Sequence, residues 1–307
     1  MKEKILITGS NGLLGQKLIY SLKHSELFEV IATSRGENRL TDRSGYAYVD
    51  LDITQKNQIE NILARFKPDV IINTAAMTNV DACETQRDEC WSLNVNAVAY
   101  FIEAIQSIHL IHAYDPHFIH LSTDFIFDGT KGPLTEDEIP NPLSFYAESK
   151  LAAEKLLQES SISWAIARTV LVYGIAENMS RSNIVLWAKS ALEQNKKINV
   201  VDDQFRTPTL AEDLAEGCIQ IARQKAKGIF NISGEDYMSI LELVYRVADF
   251  WGLNKNLITP SKSDDIRQPA KRPPNTGFII EKARKNLGYE PHTFEQGLQK
   301  LDDQLRK

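Results

Sequence analysis

From Lys4 to Gly174 the sequence alternates short apolar runs with helix-spaced segments, and few folds accommodate that rhythm. KILITG, FEVIATS, PDVIINTAA, HFIHLSTD and SWAIARTVLVYG read as strands; LLGQKLIYSLKHS, QKNQIENILARF, NVNAVAYFIEAIQSI and YAESKLAAEKLLQES read as the helices between them. The apolar runs lack in/out alternation, as strands covered on both faces should. The alternation predicts an α/β fold, a doubly wound parallel sheet with helices on both sides.

After Gly174 the rhythm breaks. NIVLWAKSALEQNKK is a helix, INVVDDQFRTPT a strand and loop, LAEDLAEGCIQIARQ a helix, GIFNIS a late strand and SILELVYRVADFWGL a long helix. TPSKSDDIRQPAKRPPNTGF, rich in proline and charge, reads as an irregular segment over a surface or cleft. The expected division is a dinucleotide-binding domain over 1–170 with a return at about 207–233. A smaller C-terminal α+β lobe over about 171–206 and 234–307 would hold substrate.

With 307 residues the chain is long enough for this plan. Its net charge of −6 argues against a nucleic-acid partner, which selects a basic surface. Cys83, Cys90 and Cys218 lack metal spacing and read as reduced thiols in a cytoplasmic protein. His24, His109, His112, His117, His120 and His292 show no metal spacing either, so no metal is expected. No apolar run approaches membrane-spanning length, and MKEKILITG carries no signal-peptide pattern, so no membrane partner is expected.

ILITGSNGLLGQKL sets Gly9, Gly12 and Gly15 between the first strand and the first helix. In a Rossmann-type unit one such glycine allows the tight turn, one lets backbone approach a pyrophosphate, and one lets helix pack on strand. Asn11, Leu13 and Leu14 complete the turn and the helix N-terminus, whose free N–H groups suit an anion. NAD sites place an acid at the end of the second strand. Here Ser34 and Arg35 stand there, which suits the 2′-phosphate of NADP(H); Glu37 is near, and NAD(H) stays open. The plainer alternative is that Arg35 is a solvated loop residue, though NADP(H) is the favoured reading. In VDLDIT, Asp52 and Ile53 could hold the adenine, and in NTAAM, Ala75, Ala76 and Met77 could let the cofactor lie close to backbone. Plain strand-end packing accounts for both as well.

LSFYAESK places Tyr146 and Lys150 one helical turn apart. Spacing alone does not decide, since with ten tyrosines the pattern arises by chance in about half of such chains. A free phenol has a pKa near ~10, and an ammonium on the same helix face would stabilise the phenolate and bring it toward the working range. The order TGSNGLLG, STDFIFDG, YAESK resembles the extended short-chain dehydrogenase/reductases. Within them, AAMTNVDACE, ARTVLVYG, DQFRTPT and KRPPNTGF resemble the dTDP-4-dehydrorhamnose reductases, and the likeness runs from about residue 4 to about 298. The resemblance implies that Tyr146 protonates the substrate oxygen and that Lys150 bonds the nicotinamide ribose. It further implies that Thr123 polarises the carbonyl.

The resemblance also implies a substrate site with Thr123, Asp124, Tyr146, Leu171, Gln204 and Arg206. Asp124 could bond a sugar hydroxyl or cap the following turn. Arg206 could hold a phosphate or pair with Asp202 or Asp203, and Arg272 is similarly placed. Phe125 stands where the related 4,6-dehydratases need a glutamate, which disfavours water elimination. Arg35 stands where epimerases keep an acid. Leu171 replaces the tryptophan that the rhamnose reductases often carry, and Met77 their aromatic or histidine. The expected function is NADPH-dependent reduction of a nucleotide-linked 4-keto-6-deoxy sugar, a small-molecule substrate. The alternatives are a non-catalytic NADP-binding subunit, resembling the β subunit of methionine adenosyltransferase, and an epimerase or other carbonyl reductase. Family members are often dimers, which leaves a homodimer open.

Overall fold

The computed structural model describes residues 2–112, 114–179, 182–266 and 268–306, with the side chains of 110–112 outside that description. The His112 ring and Arg267 therefore lie outside the described residues. Six strands and six helices build the first part of the chain. The strands are β1 (Glu3–Thr8), β2 (Phe28–Ser34), β3 (Tyr46–Asp50), β4 (Val70–Asn73), β5 (His117–Thr123) and β6 (Trp164–Thr169). The helices are α1 (Leu13–Leu22), α2 (Lys56–Phe66), α3 (Val80–Thr85), α4 (Arg87–Trp91), α5 (Ala97–His112) and α6 (Phe145–Glu159).

With a late strand, Gly228–Asn231, the six strands form one seven-stranded sheet, in the order Gly228–Asn231, β6, β5, β4, β1, β2, β3. Every pairing in it is parallel. The order reverses between β1 and β4, and such a switch opens a crevice at the carboxyl ends of the strands. Burial on both faces explains the unbroken apolar runs. Ile5 and Ile7 join one core with α1 residues Leu18 and Ile19, while Leu6 joins the other with Ile59 of α2 and Phe101 of α5. Each such side chain contributes roughly 1.5–3 kcal/mol relative to exposure.

Helices α7 (Ile184–Glu193), α8 (Ala211–Gln224), α9 (Ile240–Phe250), α10 (Glu281–Leu287) and α11 (Phe294–Leu305) follow. Leu214 and Cys218 of α8 and Ala283 and Leu287 of α10 pack into the core of the large sheet. A separate core gathers Val185 and Leu192 of α7, Val244 and Val247 of α9, and Leu298 and Leu301 of α11.

Three segments differ from the sequence expectation. SWAIARTVLVYG is not one strand: β6 ends at Thr169 and a two-residue strand, Val172–Tyr173, follows. Between them Leu171 takes φ 38°, a left-handed conformation that costs a side-chain-bearing residue roughly 1–2 kcal/mol. The proline-rich segment is not wholly irregular. Ile258–Ser261 pairs in parallel with Ile198–Val201, and Pro260 is tolerated on that two-stranded edge. The helix expected from Asn94 begins at Ala97, after α3, α4 and a π-turn over Ser92–Asn96.

Candidate active site

The glycine turn joins β1 to α1 at the switch point. Gly9 has φ 64°, and a Cβ on it would come within 2.8 Å of the Ala75 nitrogen, so only glycine lets the turn seat against the end of β4. A Cβ on Gly15 would lie 2.4 Å from the Gly9 carbonyl oxygen, so α1 reaches the turn only without one. Gly12 is the N-cap of α1 and supplies no side-chain acceptor, leaving the first N–H groups of the helix, at Leu13 and Leu14, open to an anion. The Asn11 side chain is spent on the neighbouring loop. Its Nδ2 donates to the Glu37 carbonyl at 2.8 Å, and its Oδ1 accepts from the Arg39 N–H at 2.9 Å.

That loop leaves the end of β2 at Ser34 and lines a cavity of about 570 Å³ with Arg35, Glu37, Arg39, Arg43 and Asn178. Among the described residues none of the three guanidinium groups makes a hydrogen bond or ion pair. The uncapped helix start, the glycine cradle and these unspent cations are the donors that an NADP(H)-type dinucleotide needs. Arg39 and Arg43 were not singled out from the sequence. The spacing of four residues from Arg35 in SRGENRLTDR was the available signal.

The other expected cofactor residues are placed less openly. Asp52 Oδ1 accepts from the Thr54 N–H at 2.9 Å and its hydroxyl at 2.7 Å, closing a turn ahead of α2. Ile53 is buried in the core between α2 and the sheet. Ala75, Ala76 and Met77 follow β4 half-buried. The backbone of Met77 is held at both ends by Asn94, whose Oδ1 accepts from the Met77 N–H at 2.8 Å and whose Nδ2 donates to its carbonyl at 3.1 Å. Asn94 Nδ2 also reaches Ser149 Oγ at 2.9 Å, and Ser149 donates to the Tyr146 carbonyl at 2.7 Å. A polar asparagine inside an apolar helix pattern was the signal for this link, and the sequence reading passed over it.

Thr123 ends β5, Tyr146 lies in the first turn of α6, and Lys150 one turn later. The phenol packs among Cys83, Cys90, Met77 and Phe125, the Phe125 ring edge-on at 6.2 Å. Burial pushes its pKa well above the ordinary tyrosine value. The neighbouring Thr123 hydroxyl pulls the other way, while negative charge on Asp124, Cys83 or Cys90 pushes it up again. Lys150 bonds β5. Its amine donates to the Leu121 carbonyl at 2.6 Å and lies 3.2 Å from His120 Nε2, and burial lowers its pKa to about 8. The amine is thus bonded to β5, and among the described residues no hydrogen bond joins it to the phenol.

The expected substrate ligands are bonded to one another. Arg206 Nη1 donates to the Phe205 and Pro274 carbonyls at 2.7 and 3.0 Å. Its Nη2 donates to the Pro273 carbonyl at 2.7 Å and to Gln204 Oε1 at 3.4 Å. Its Nε faces Asp124 Oδ2 at 3.6 Å, so the ion pair forms with Asp124 and not with Asp202 or Asp203. Those two instead meet Lys262 and Ser263. Gln204 spends its amide on Ser263 at 2.9 Å. Asp124 is buried, takes a hydrogen bond from the Thr276 hydroxyl and receives Thr123 Oγ1 at 3.1 Å. The following turn is capped by Thr123, which accepts from the Phe125 N–H at 3.2 Å. Leu171 is half-buried and packs against Phe127 and Val170. Arg272 forms a two-pronged pair with Asp81 of α3 at 2.7 and 3.1 Å.

The fold and this site can be set beside known proteins. The family described as the RmlD substrate binding domain matches residues 2–307. The dTDP-4-dehydrorhamnose reductase of Aggregatibacter actinomycetemcomitans is 31% identical over 310 residues, covering 97% of this chain and 98% of that one. Methionine adenosyltransferase 2 subunit beta of Mus musculus is 29% identical over 301 residues, covering 96% and 86% respectively. A crystal structure of dTDP-4-dehydrorhamnose reductase from Bacillus anthracis str. Ames in complex with NADP superposes with a TM-score of 0.85 at 26% identity, covering 99% of this chain and 100% of that one. The chain belongs to the RmlD substrate-binding-domain family of extended short-chain dehydrogenase/reductases, and its chemical class is that of an NAD(P)-dependent oxidoreductase.

Proposed function

We propose that the protein reduces the keto group of a nucleotide-linked 4-keto-6-deoxy sugar, with NADPH as reductant. The observation that carries this reading is that Thr123 ends β5 and neighbours Tyr146 in the first turn of α6, at the same end of the parallel sheet as the glycine turn. Bound in the crevice, the dinucleotide would rest its pyrophosphate on Gly9–Gly15 and α1, and its 2′-phosphate near Arg35, Arg39 and Arg43. It supplies a hydride for the carbonyl carbon. Tyr146 then donates its proton to the carbonyl oxygen, and Thr123 shares the negative charge as it builds there. Phe125, in place of a glutamate, leaves no base for elimination, which favours net reduction.

The test is loss of absorbance at 340 nm when NADPH meets dTDP-4-keto-rhamnose. Tyr146→Phe is expected to reduce kcat by about 10²–10⁴-fold. No turnover of any keto-sugar nucleotide by the wild type defeats the reading.

A second reading is a regulatory subunit that binds NADP without consuming it. Two observations favour it: the similarity to the methionine adenosyltransferase subunit, and the Lys150 amine bonded away from the phenol. Tight NADPH binding without oxidation, together with co-purification with a partner enzyme whose kinetics it alters, decides for it.

A further inference from the structure

Behind Lys150 lies a polar chain that the reaction above does not use. Thr8, Asn73 and His120 stand in one row across β1, β4 and β5, in the registers Thr8↔Asn73 and Asn73↔His120. Each is buried, with 1% of its surface exposed. Thr8 Oγ1 donates to Asn73 Oδ1 at 2.6 Å, Asn73 Nδ2 lies 3.2 Å from His120 Nδ1, and His120 Nε2 lies 3.2 Å from the Lys150 amine. We propose that His120 is a positioning residue for Lys150. Through it the row exists in two hydrogen-bond patterns, one for each protonation state of the lysine, and so ties the lysine's charge to the floor of the glycine turn.

The two patterns follow from counting donors. With the Thr8 hydroxyl donating to Asn73 Oδ1, the Asn73 amide faces His120 Nδ1, which must accept. A neutral imidazole then carries its proton on Nε2, pointing at the lysine, and only the lone pair of an uncharged amine can receive it. An ammonium has three N–H groups and no lone pair. It requires His120 Nε2 to accept, which moves the imidazole proton to Nδ1. Asn73 must then turn its oxygen to His120, and the Thr8 hydroxyl must accept from the amide. Only the lysine gains a proton, and the imidazole changes tautomer while remaining neutral; burial and the neighbouring lysine both hold its pKa well below the usual histidine range. The far end of the row reaches the dinucleotide bed. Thr8 Oγ1 accepts from the Ala75 N–H at 3.3 Å, the Thr8 carbonyl accepts from Thr74 Oγ1 at 2.6 Å, and these two residues bound the space beside Gly9.

The other charged and titratable groups around α6 have partners elsewhere. Glu154, on the next turn, is held by Arg168 of β6 at 2.7 and 3.0 Å. Asp124 is held by Arg206 and Thr276. Glu84 of α3 accepts from the Phe145 N–H. Cys90 of α4 donates to Ser149, Cys83 of α3 reaches the Met77 carbonyl, and Tyr146 neighbours Thr123. Among the described residues His120 is the only side chain that bonds the lysine amine.

The inference rests on the reading of Lys150 as the group behind the proton donor, but its test needs no turnover. Protein labelled with ¹⁵N-histidine is titrated from pH 6 to 10, and the His120 tautomer is read from its ring-nitrogen shifts, assigned by their loss in His120→Asn. The expected result is Nδ1–H at low pH giving way to Nε2–H at high pH in the wild type, with a single pH-independent tautomer in Lys150→Met. The remaining histidine signals report whether each variant folds, and Lys150→Gln replaces Lys150→Met if it does not. One tautomer throughout in the wild type, or an unchanged transition without the lysine, overturns the proposal. If the protein turns over substrate, His120→Leu is expected to move the pH midpoint of kcat by at least one unit while His120→Asn moves it less; equal profiles for wild type and His120→Leu also overturn it. A wild type that shows the tautomer switch but reduces no keto sugar defeats the proposed function and leaves this inference standing.

Discussion

Two regions of the molecule carry arginines of opposite character. Arg206, in the two-residue strand Phe205–Arg206, is buried to 2% exposure and spends its N–H groups on three backbone carbonyls, Gln204 and Asp124. Arg35, Arg39 and Arg43, on the dinucleotide side, are exposed around an open cavity and have no bonded partner among the described residues. In sequence nothing marks one of these four arginines as bonded and the other three as open. A cation is available to a ligand only when its hydrogen bonds are unspent, and that is a property of tertiary structure. The difference predicts that substitutions in one region change stability and in the other change affinity.

The largest effect is expected at Arg206. Arg206→Met leaves the Asp124 carboxylate buried without its cation and the Pro273 carbonyl without its donor, a loss of roughly 3–5 kcal/mol. Urea denaturation should register it, while the dissociation constant for NADPH in the folded protein should hold. Unchanged stability with a raised KM for substrate would reverse the comparison and return Arg206 to the ligand.

The prediction for Lys150 is a dependence on pH. Burial lowers its folded pKa to about 8 from an ordinary 10.5. Between those values the unfolded chain holds the extra proton, so this group makes the protein more stable as pH rises from about 8 to about 10.5, by up to about 3 kcal/mol. Lys150→Met should remove that rise. The measurement is the difference between wild-type and variant unfolding free energies at pH 8 and pH 10; a difference independent of pH would show that the amine is not desolvated.

Much of the sheet was legible because its causes are local. Runs such as KILITG and PDVIIN carry their burial in their composition, and the two glycine clashes follow from a turn that three residues define. Less was legible where the cause is distant. Ile258–Ser261 is a strand because Ile198–Val201 lies beside it, and no pattern within TPSKS announces that. Leu171 holds a left-handed conformation that leucine does not prefer, so SWAIARTVLVYG read as continuous. Tyr146 and Lys150 are one turn apart as spacing requires, yet the amine bonds Leu121 and His120 of β5, partners that only the packing of α6 on the sheet brings near.

A smaller effect sharpens the dinucleotide side. Arg39 is exposed and its guanidinium is unspent, so Arg39→Ala should leave stability within about 0.5 kcal/mol of wild type. If it meets a 2′-phosphate, the dissociation constant for NADPH should rise about tenfold, or ~1.4 kcal/mol, with NADH unaffected. Equal weakening of both cofactors would place Arg39 on the pyrophosphate, and no weakening of either would leave the cavity without a role in binding.

The smallest effect tests whether the comparison holds at a single carboxylate. Asp52 lies near the end of β3, where an adenine contact was one expectation, but its Oδ1 already receives the Thr54 N–H and hydroxyl. By the same reasoning that separates Arg206 from Arg39, a spent acceptor belongs to the fold. Asp52→Ala should therefore cost about 1 kcal/mol in unfolding free energy through the lost turn ahead of α2, a magnitude typical of losing a side-chain cap. The affinity for NADPH should stay within twofold. Asp52→Asn keeps one acceptor oxygen for Thr54 and should recover most of the stability. If Asp52→Ala instead weakens the cofactor several-fold at unchanged stability, the remaining oxygen of the carboxylate faces the ligand, and hydrogen-bond occupancy alone does not separate structural from binding residues along this edge.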